Sequence, residues 1–361
     1  MESKALAAGR GIAQCLSLVM TEKRAGCFTA ILVVALIVSA VLNIGFLMSH
    51  PKRQGAGALH VGPPHNSVFG EEVVKPAAGG HVNAQKRIVL ISLRGLISSV
   101  EPGMVGESAL DDTVAEIQQA REDESVSAVV LRIDSPGGEV TASDILYKAV
   151  RLLRDKKPVV VTMDSVAASG GYYVACAGSF VFAHETTITA SIGVIMQSVN
   201  YHELLGKVGL EVMTFKSGAF KDLLNGAREL TEAERDYVQK MIDQSYDRFV
   251  GIVARERQLD EAGLRAGVAD GRIVSGQDAL TAKLVDGLGG FDEAVEKARA
   301  LGNAPGAPLI RYSAPMAFGR ILRLLSEAPV KGGKMELDLG AKLNGKLQNG
   351  RLYYLPSVLA P

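Results

Sequence analysis

Tryptophan is absent from this 361-residue chain, and aromatic residues make up only 5% of it. Carbohydrate and single-stranded nucleic acid binders stack their ligands on flat aromatic faces, so the chain is poor material for either. A charge excess is missing too, because 39 basic and 39 acidic side chains leave a formal net charge of zero. Phosphate backbones call for a cationic surplus, and the basic runs here are short: Lys23-Arg24, Lys52-Arg53 and Arg154 to Lys157. Nucleic acid is not expected as a partner. Cysteine is scarce as well. Cys15 and Cys27 precede a hydrophobic segment and Cys176 stands alone in the body, which excludes a disulfide framework there. No Cys/His spacing reads as a zinc site, so neither a metal nor a cofactor is expected. Cys176 reads as a small buried hydrophobe on a helix.

What the chain has is apolar mass, with 47% hydrophobic residues, enough for a sizeable core. Phe28 to Met48 carries no charge and is long enough to cross a bilayer at about 1.5 Å rise per residue. The run is too long and begins too late for an ordinary cleaved leader, so it reads as a transmembrane signal anchor. Lys4, Arg10, Lys23 and Arg24 before it outnumber Lys52 and Arg53 after it. By the positive-inside rule, segment 1–27 stays cytoplasmic and the body lies outside the cell (inner) membrane. Residues 49–86, rich in Pro, Gly, His and Ala, read as a flexible linker. The body is expected over 87–300, followed by a Pro/Gly-rich tail over 301–361 with a short helix candidate at Gly319 to Ser326.

Within the body, short β-branched runs alternate with helical patterns. Arg87 to Gly95, Ser127 to Asp134 and Pro158 to Asp164 read as buried strands. Asp111 to Arg121, and the stretch from the Ser-Pro-Gly-Gly turn at 135–138 to about Lys157, read as helices between them. That order predicts parallel βαβ units in an α/β fold. Thr231 and Glu234 fit a capping box, which starts a long amphipathic helix over Glu232 to Arg257. Its apolar stripe suits a core or a subunit interface.

The chemistry concentrates in Val166-Ala-Ala-Ser169-Gly-Gly-Tyr172, just past a predicted strand. A serine at a strand-to-helix turn exposes its hydroxyl, and the helix beginning at Gly170 aims free amides at the same place. Those amides suit an oxyanion hole with Gly170 as one donor, and Gly137 or Gly138 in the other turn can supply a second. The plain structural alternative for each turn is a tight contact with no chemistry. Serine needs a base. His184 and His202 read as structural or surface residues. A desolvated lysine can serve instead, and Lys216 and Lys221 lie close together; chemistry alone does not separate them.

The blocks LRIDSPGGEVTASD, MDSVAASGGYYVACAG, TASIGVIMQSVNY and KSGAFKDLLNGARELTEAE resemble, in order and spacing, the bacterial signal peptide peptidase A family over about residues 88–295. The resemblance implies a Clp-protease/crotonase-like spiral of βαβ units, behind one transmembrane helix, and a Ser-Lys serine endopeptidase. It places the nucleophile at Ser169 and the base at Lys221, with Ser191 orienting the lysine and Gly137 joining Gly170 in the oxyanion hole. The family often has Thr-Gly-Ser where this chain has Thr189-Ala190-Ser191. Implied substrates are extended peptides, namely remnant signal peptides lying in or near the membrane. A single copy of the motifs is similar to the family's short forms, homo-oligomeric rings that share sites between neighbours. The alternatives are a silent membrane scaffold of the same fold and a crotonase-type acyl-CoA enzyme.

Overall fold

The computed structural model describes residues 69–77, 86–99 and 109–313, with the backbone of Tyr353–Tyr354. The expected span at 28–48, the segment before it and the helix candidate at 319–326 lie outside the described residues. Among the described residues no helix is long and apolar enough to cross a membrane.

The β-branched runs become strands covered on both faces. β1 (Gly70–Lys75) comes first, then β2 (Arg87–Ile97), β3 (Val126–Glu139), β4 (Val159–Ala168) and β5 (Phe180–Ala183). From β2 to β5 they lie parallel and side by side in chain order. Stepping always in one direction winds a spiral, whereas a doubly wound sheet starts from its centre. β6 (Ile188–Ala190) takes the far end of β4, where β5 no longer reaches, and β7 (Ile273–Ser275) runs antiparallel to β6. β8 (Gly287–Leu288) pairs with β5, and β9 (Leu309–Ser313) lies parallel to β2 on its other side. β1 closes that edge antiparallel to β9, and β10 (Tyr353–Tyr354) pairs antiparallel with β3.

Side chains alternate across this sheet with the two-residue period of a strand. Val89, Ile91, Val129, Leu131, Ile133, Val161 and Met163 face one core. There they meet α1 (Ala109–Glu122), α2 (Val140–Arg154) and α3 (Gly170–Ala175), which make the crossovers between consecutive strands. Ile88, Val130 and Val160 point the other way, to a smaller core. Burial on both faces is why these strands read as continuous apolar runs. Beyond β6 come α4 (His202–Lys207), α5 (Glu232–Arg257), α6 (Glu261–Ala266), α7 (Gly276–Thr281) and α8 (Phe291–Leu301). Ala294, Val295 and Ala298 of α8 seal the smaller core.

Helix α5 has the expected bounds, and its capping box between Thr231 and Glu234 is formed. Its stripe is used unevenly. Phe249, Val250, Ile252 and Val253 are buried in the main core, while Tyr237, near the start, is half exposed.

Two expectations need correction. Ser-Pro-Gly-Gly does not stop a strand: β3 runs through it to Glu139. The register shifts between Ile133 and Ser135, and Gly137 turns at φ 104°, so the strand bulges past the proline and then pairs Gly138 with Ile97. The body also exceeds 87–300 at both ends, because β1 lies in the stretch read as linker and β9 in the stretch read as tail.

Candidate active site

The site grows from the carboxyl ends of β3 and β4, where parallel sheets collect their reactive groups. β4 runs on to Ala168, and Ser169 turns the chain into α3 with φ 52° and ψ −116°. A non-glycine residue held there is strained, and such strain gathers where geometry must be fixed. Two hydrogen bonds pin the turn: the Ser169 amide donates to Ala190 O (2.7 Å) and the Tyr173 amide to Ser169 O (2.8 Å). Ala190 and Ser191 also have positive φ, 61° and 51°. The turn after β6 is therefore as constrained as the serine it holds.

Ser169 has no exposed surface, and its Oγ has no hydrogen-bond partner among the described residues. Neither His184 nor His202 bonds to it. His184 is exposed with its ring beside Gly290, and His202 Nδ1 lies 2.9 Å from Ala227 O.

The two glycine turns do meet. A Cβ on Gly170 would lie 3.1 Å from Gly138 N, 3.2 Å from Gly137 Cα and 2.4 Å from Ser143 Oγ. A Cβ on Gly138 would lie 1.9 Å from Ile97 O. Backbone is thus packed on backbone beside the nucleophile candidate, where α3 begins with amides that have no partner within the helix. The Gly137 amide donates to Ser135 Oγ (3.1 Å), and that hydroxyl donates onward to Gly95 O (2.6 Å). Sequence reasoning missed Ser135 and Ser143; both sit inside the quoted LRIDSPGGEVTASD block but carry no signal that a turn or helix serine lacks. Ser143 Oγ donates to Glu139 O (2.9 Å), fixing the start of α2 beneath Gly170.

Ser191 sits one residue beyond the last β4–β6 pair, Ala168↔Ala190, and so beside Ser169. It is buried; its amide donates to Arg272 O (2.9 Å) and its Oγ to Gly271 O (3.3 Å).

The lysines lie on an arm, residues 196–231, that leaves the body between β6 and α5 and is mostly exposed. Arg228 forms the root of the arm, bonding Asp222 (2.8 Å) and Glu234 (2.6 Å) at the start of α5. The guanidinium holds the Glu234 carboxyl down at about 2 and, helped by Lys216, holds Asp222 well below the usual carboxylate range. Lys216 is committed to that cluster, 2.7 Å from Asp222. Lys221 is exposed, and its ammonium has no hydrogen-bond partner among the described residues. Its chain thus separates the two lysines as composition did not. Around it the arm shows apolar side chains to water: Phe215 is 93% exposed, Met213 78% and Val199 70%. The structure brings Ser169, Gly170, Gly137, Gly138 and Ser191 together, and Lys221 makes no bond to them within one chain.

Cys176 is buried, and burial pushes its thiol up to about 12, which keeps it an inert core residue as expected. Among the described residues no cluster of His, Cys, Asp and Glu could hold a metal ion.

Comparison with known proteins places the chain in a family. The model of peptidase family S49 matches residues 151–304, and that of Clp protease matches 100–197. A Methanocaldococcus jannaschii protein provisionally named a protease is 39% identical over 54% of this chain and 63% of its own length. An Enterococcus faecium protein with the provisional name signal peptide peptidase SppA is 33% identical, over 63% of this chain and 67% of that one. A Synechocystis protein provisionally named a protease is 37% identical, over 61% and 76%. The fold is a Clp-protease-like α/β fold, on the family model and the one-way order of the strands. With these relatives matched along most of their length, the chain belongs to peptidase family S49, the signal peptide peptidase A family.

Proposed function

We propose that this chain is a membrane-anchored serine endopeptidase that hydrolyses extended peptides, remnant signal peptides among them, with Ser169 as nucleophile and Lys221 of a neighbouring copy as base. The observation that carries this reading is the Ser169 hydroxyl: buried, unpartnered and held on a strained turn against two glycine strand ends. Burying an unsatisfied hydroxyl costs about 1–3 kcal/mol. A turn kept only for packing gains nothing from a serine there.

A lysine in water has a pKa near about 10.4 and is no base at neutral pH; burial lowers it. Lys221 is exposed within one chain, so the reading requires a second surface to desolvate it. The exposed apolar side chains of the arm give it a reason to dock. Docking on a neighbour would bury Phe215 and Met213 and carry Lys221 to that neighbour's Ser169. A closed ring of copies with shared sites follows from repeating the contact.

The chemistry is acyl transfer in two stages. Neutral Lys221 accepts the Ser169 proton as Oγ attacks the scissile carbonyl, and Ser191 orients the amine. The Gly170 amide and one from the Gly137–Gly138 turn hold the oxyanion. For Gly137 to serve, its amide exchanges Ser135 Oγ for the substrate oxygen, while Ser135 stays fixed by its own bond to Gly95 O. The resulting lysinium protonates the leaving amine as the peptide bond breaks. Lys221 then takes a proton from water as the water oxygen attacks the ester, and returns it to Ser169 Oγ as the ester bond breaks and the acyl group leaves as a carboxylic acid. Residues 28–48 anchor the chain, with the N-terminus in the cytoplasm and the catalytic body on the outer side of the cell membrane.

The test is hydrolysis of a fluorogenic peptide by the full chain in detergent, beside Ser169→Ala and Lys221→Ala. Both variants should lose turnover by at least about a thousandfold. Full turnover in either variant sinks the dyad, and no turnover in the wild type favours a silent scaffold.

A further inference from the structure

Lys221 is followed at once by a carboxylate, Asp222. A carboxylate beside an amine stabilises the ammonium form, and an ammonium cannot take a proton from serine. The arm prevents this pairing. Asp222 Oδ1 lies 2.7 Å from Lys216 Nζ and 2.8 Å from Arg228 Nη2, and its Oδ2 lies 2.8 Å from Arg228 Nε. Both oxygens are thus taken by cations other than Lys221. On a mostly exposed arm the Asp222 side chain is only 11% exposed, so these cations and not water face its charge.

Arg228 reaches past Asp222 to Glu234 at the start of α5, 2.6 Å away. Arg228, Asp222 and Glu234 alone would sum to one negative charge. Lys216 brings the sum to zero, and its Nζ also donates to Ala219 O (3.1 Å), two residues before Lys221. α5 adds Tyr237 to this turn, its ring 5.3 Å from that of Phe220. In a copy that receives the lysine, the charge next to Ser191 is matched as well. Arg272, whose carbonyl takes the Ser191 amide, bonds Asp270 at 2.8 Å.

We infer that Lys216 and Asp222 are positioning residues for the base: Lys216, with Arg228, turns the Asp222 carboxylate away from Lys221 and cancels its charge. The inference rests on the peptidase reading above and adds to it how the amine stays unpaired until it docks. A lysine bonded to its own neighbour would have to break that pair to enter another copy's site. Lys221 arrives without one.

The experiment is the pH dependence of kcat/KM for a fluorogenic peptide, measured with the full chain in detergent. Lys216→Met leaves a carboxylate uncancelled and so favours the ammonium. The acid limb, where activity rises with pH, should then move up by at least about half a pH unit, with activity regained at higher pH. Asp222→Asn leaves a cation in excess and should move the limb down. The double variant should return it to the wild-type position, and Lys216→Arg should not move it. A lesion that merely loosened the arm would lower the whole profile without displacing it. A second readout needs no catalysis. In the Ser169→Ala chain with isotopically methylated lysines, the NMR resonance that Lys221→Arg removes should titrate with the same displacements. Acid limbs that stay in place in an active enzyme, or that move the same way in both single variants, overturn the inference and leave the peptidase reading standing. A wild type without turnover overturns that reading instead. The resonance then decides the inference alone, as it does for any variant too weak to profile: displaced, it stands; undisplaced, it falls.

Discussion

Ser169 is placed by three neighbours that each forbid an alternative: the Ala190 carbonyl on its amide, Gly170 beside the Gly137–Gly138 turn, and Ser143 beneath. Its position was legible because small residues crowd a strand end in Val166 to Tyr172. The roles of Ser135 and Ser143 were not, since they depend on which carbonyls come near after folding. The two lysines flank one glycine turn and look alike in composition. They differ through Asp222, which takes Lys216 and leaves Lys221 free. Gly138→Ala should be severe, because its Cβ would press on the Ile97 carbonyl at 1.9 Å and backbone cannot step aside. A loss of at least about 2 kcal/mol is expected from thermal or denaturant unfolding. Gly170→Ala meets first the Ser143 hydroxyl, a short side chain able to rotate, so its damage should fall on turnover more than on melting temperature. Glu116 of α1 makes a separate prediction. Burial, and then the nearby Asp112 charge, push its carboxyl from 4.5 up to about 7. The fold therefore favours its protonated form: the benefit is full below about pH 4.5 and is lost as pH rises through about 7. Glu116→Gln should stabilise the chain on the order of 2 kcal/mol near pH 8.5 and not at all near pH 4, measured as the difference in unfolding free energy between the two proteins.

Among the elements, α5 was readable to its ends because Thr231 and Glu234 mark the start and its basic last turn, with Arg255 and Arg257, suits the finish. The β-bulge in β3 was not, because proline and glycines usually end strands and nothing local says that Ile97 waits beyond them. β1 and β9 escaped notice for another reason. Gly70–Lys75 is polar and mostly exposed, and Leu309–Ser313 is short and lies in a Pro- and Gly-rich stretch, so neither shows a period. The arm is the element whose behaviour tests the shared site. Phe215→Glu together with Met213→Glu should leave the far-UV circular dichroism of the chain unchanged, because neither side chain is buried in the chain itself. The same pair should reduce the molar mass seen by light scattering and reduce turnover in parallel. Arg228→Met should free the arm's root by removing the bonds to Asp222 and Glu234. Faster proteolytic nicking between 200 and 228, with the body left whole, would register it.

At the scale of the whole molecule, the parallel pairing of β2 to β5 followed from the βαβ alternation and their one-way order from the family resemblance, while the splitting of β4 between β5 and β6 followed from neither. That split brings Ser191 to Ser169 from more than a strand's length away in sequence. If nucleophile and base come from different copies, two dead proteins should mend each other. Mixing Ser169→Ala with Lys221→Ala chains and letting them reassemble should restore part of the turnover, because some neighbours then pair an intact serine with an intact lysine. Turnover that stays at zero in the mixture, with the wild type active, would place both groups in one copy.

The outermost ribbon has a consequence of its own. β9 is held between β2 and β1, and β1 presents Glu71, Glu72 and Lys75 on the rim, with Glu72 bonded to Arg311 and Glu71 to Arg87. Charged outer strands of this kind keep sheets from adhering edge to edge. A shortened chain started at Arg87, where the apolar pattern begins, would strip off that guard and leave β9 open to other molecules. One started a few residues before Phe69, whose buried ring lies beside Tyr312, keeps the guard in place, and should stay dispersed where the shorter form clumps.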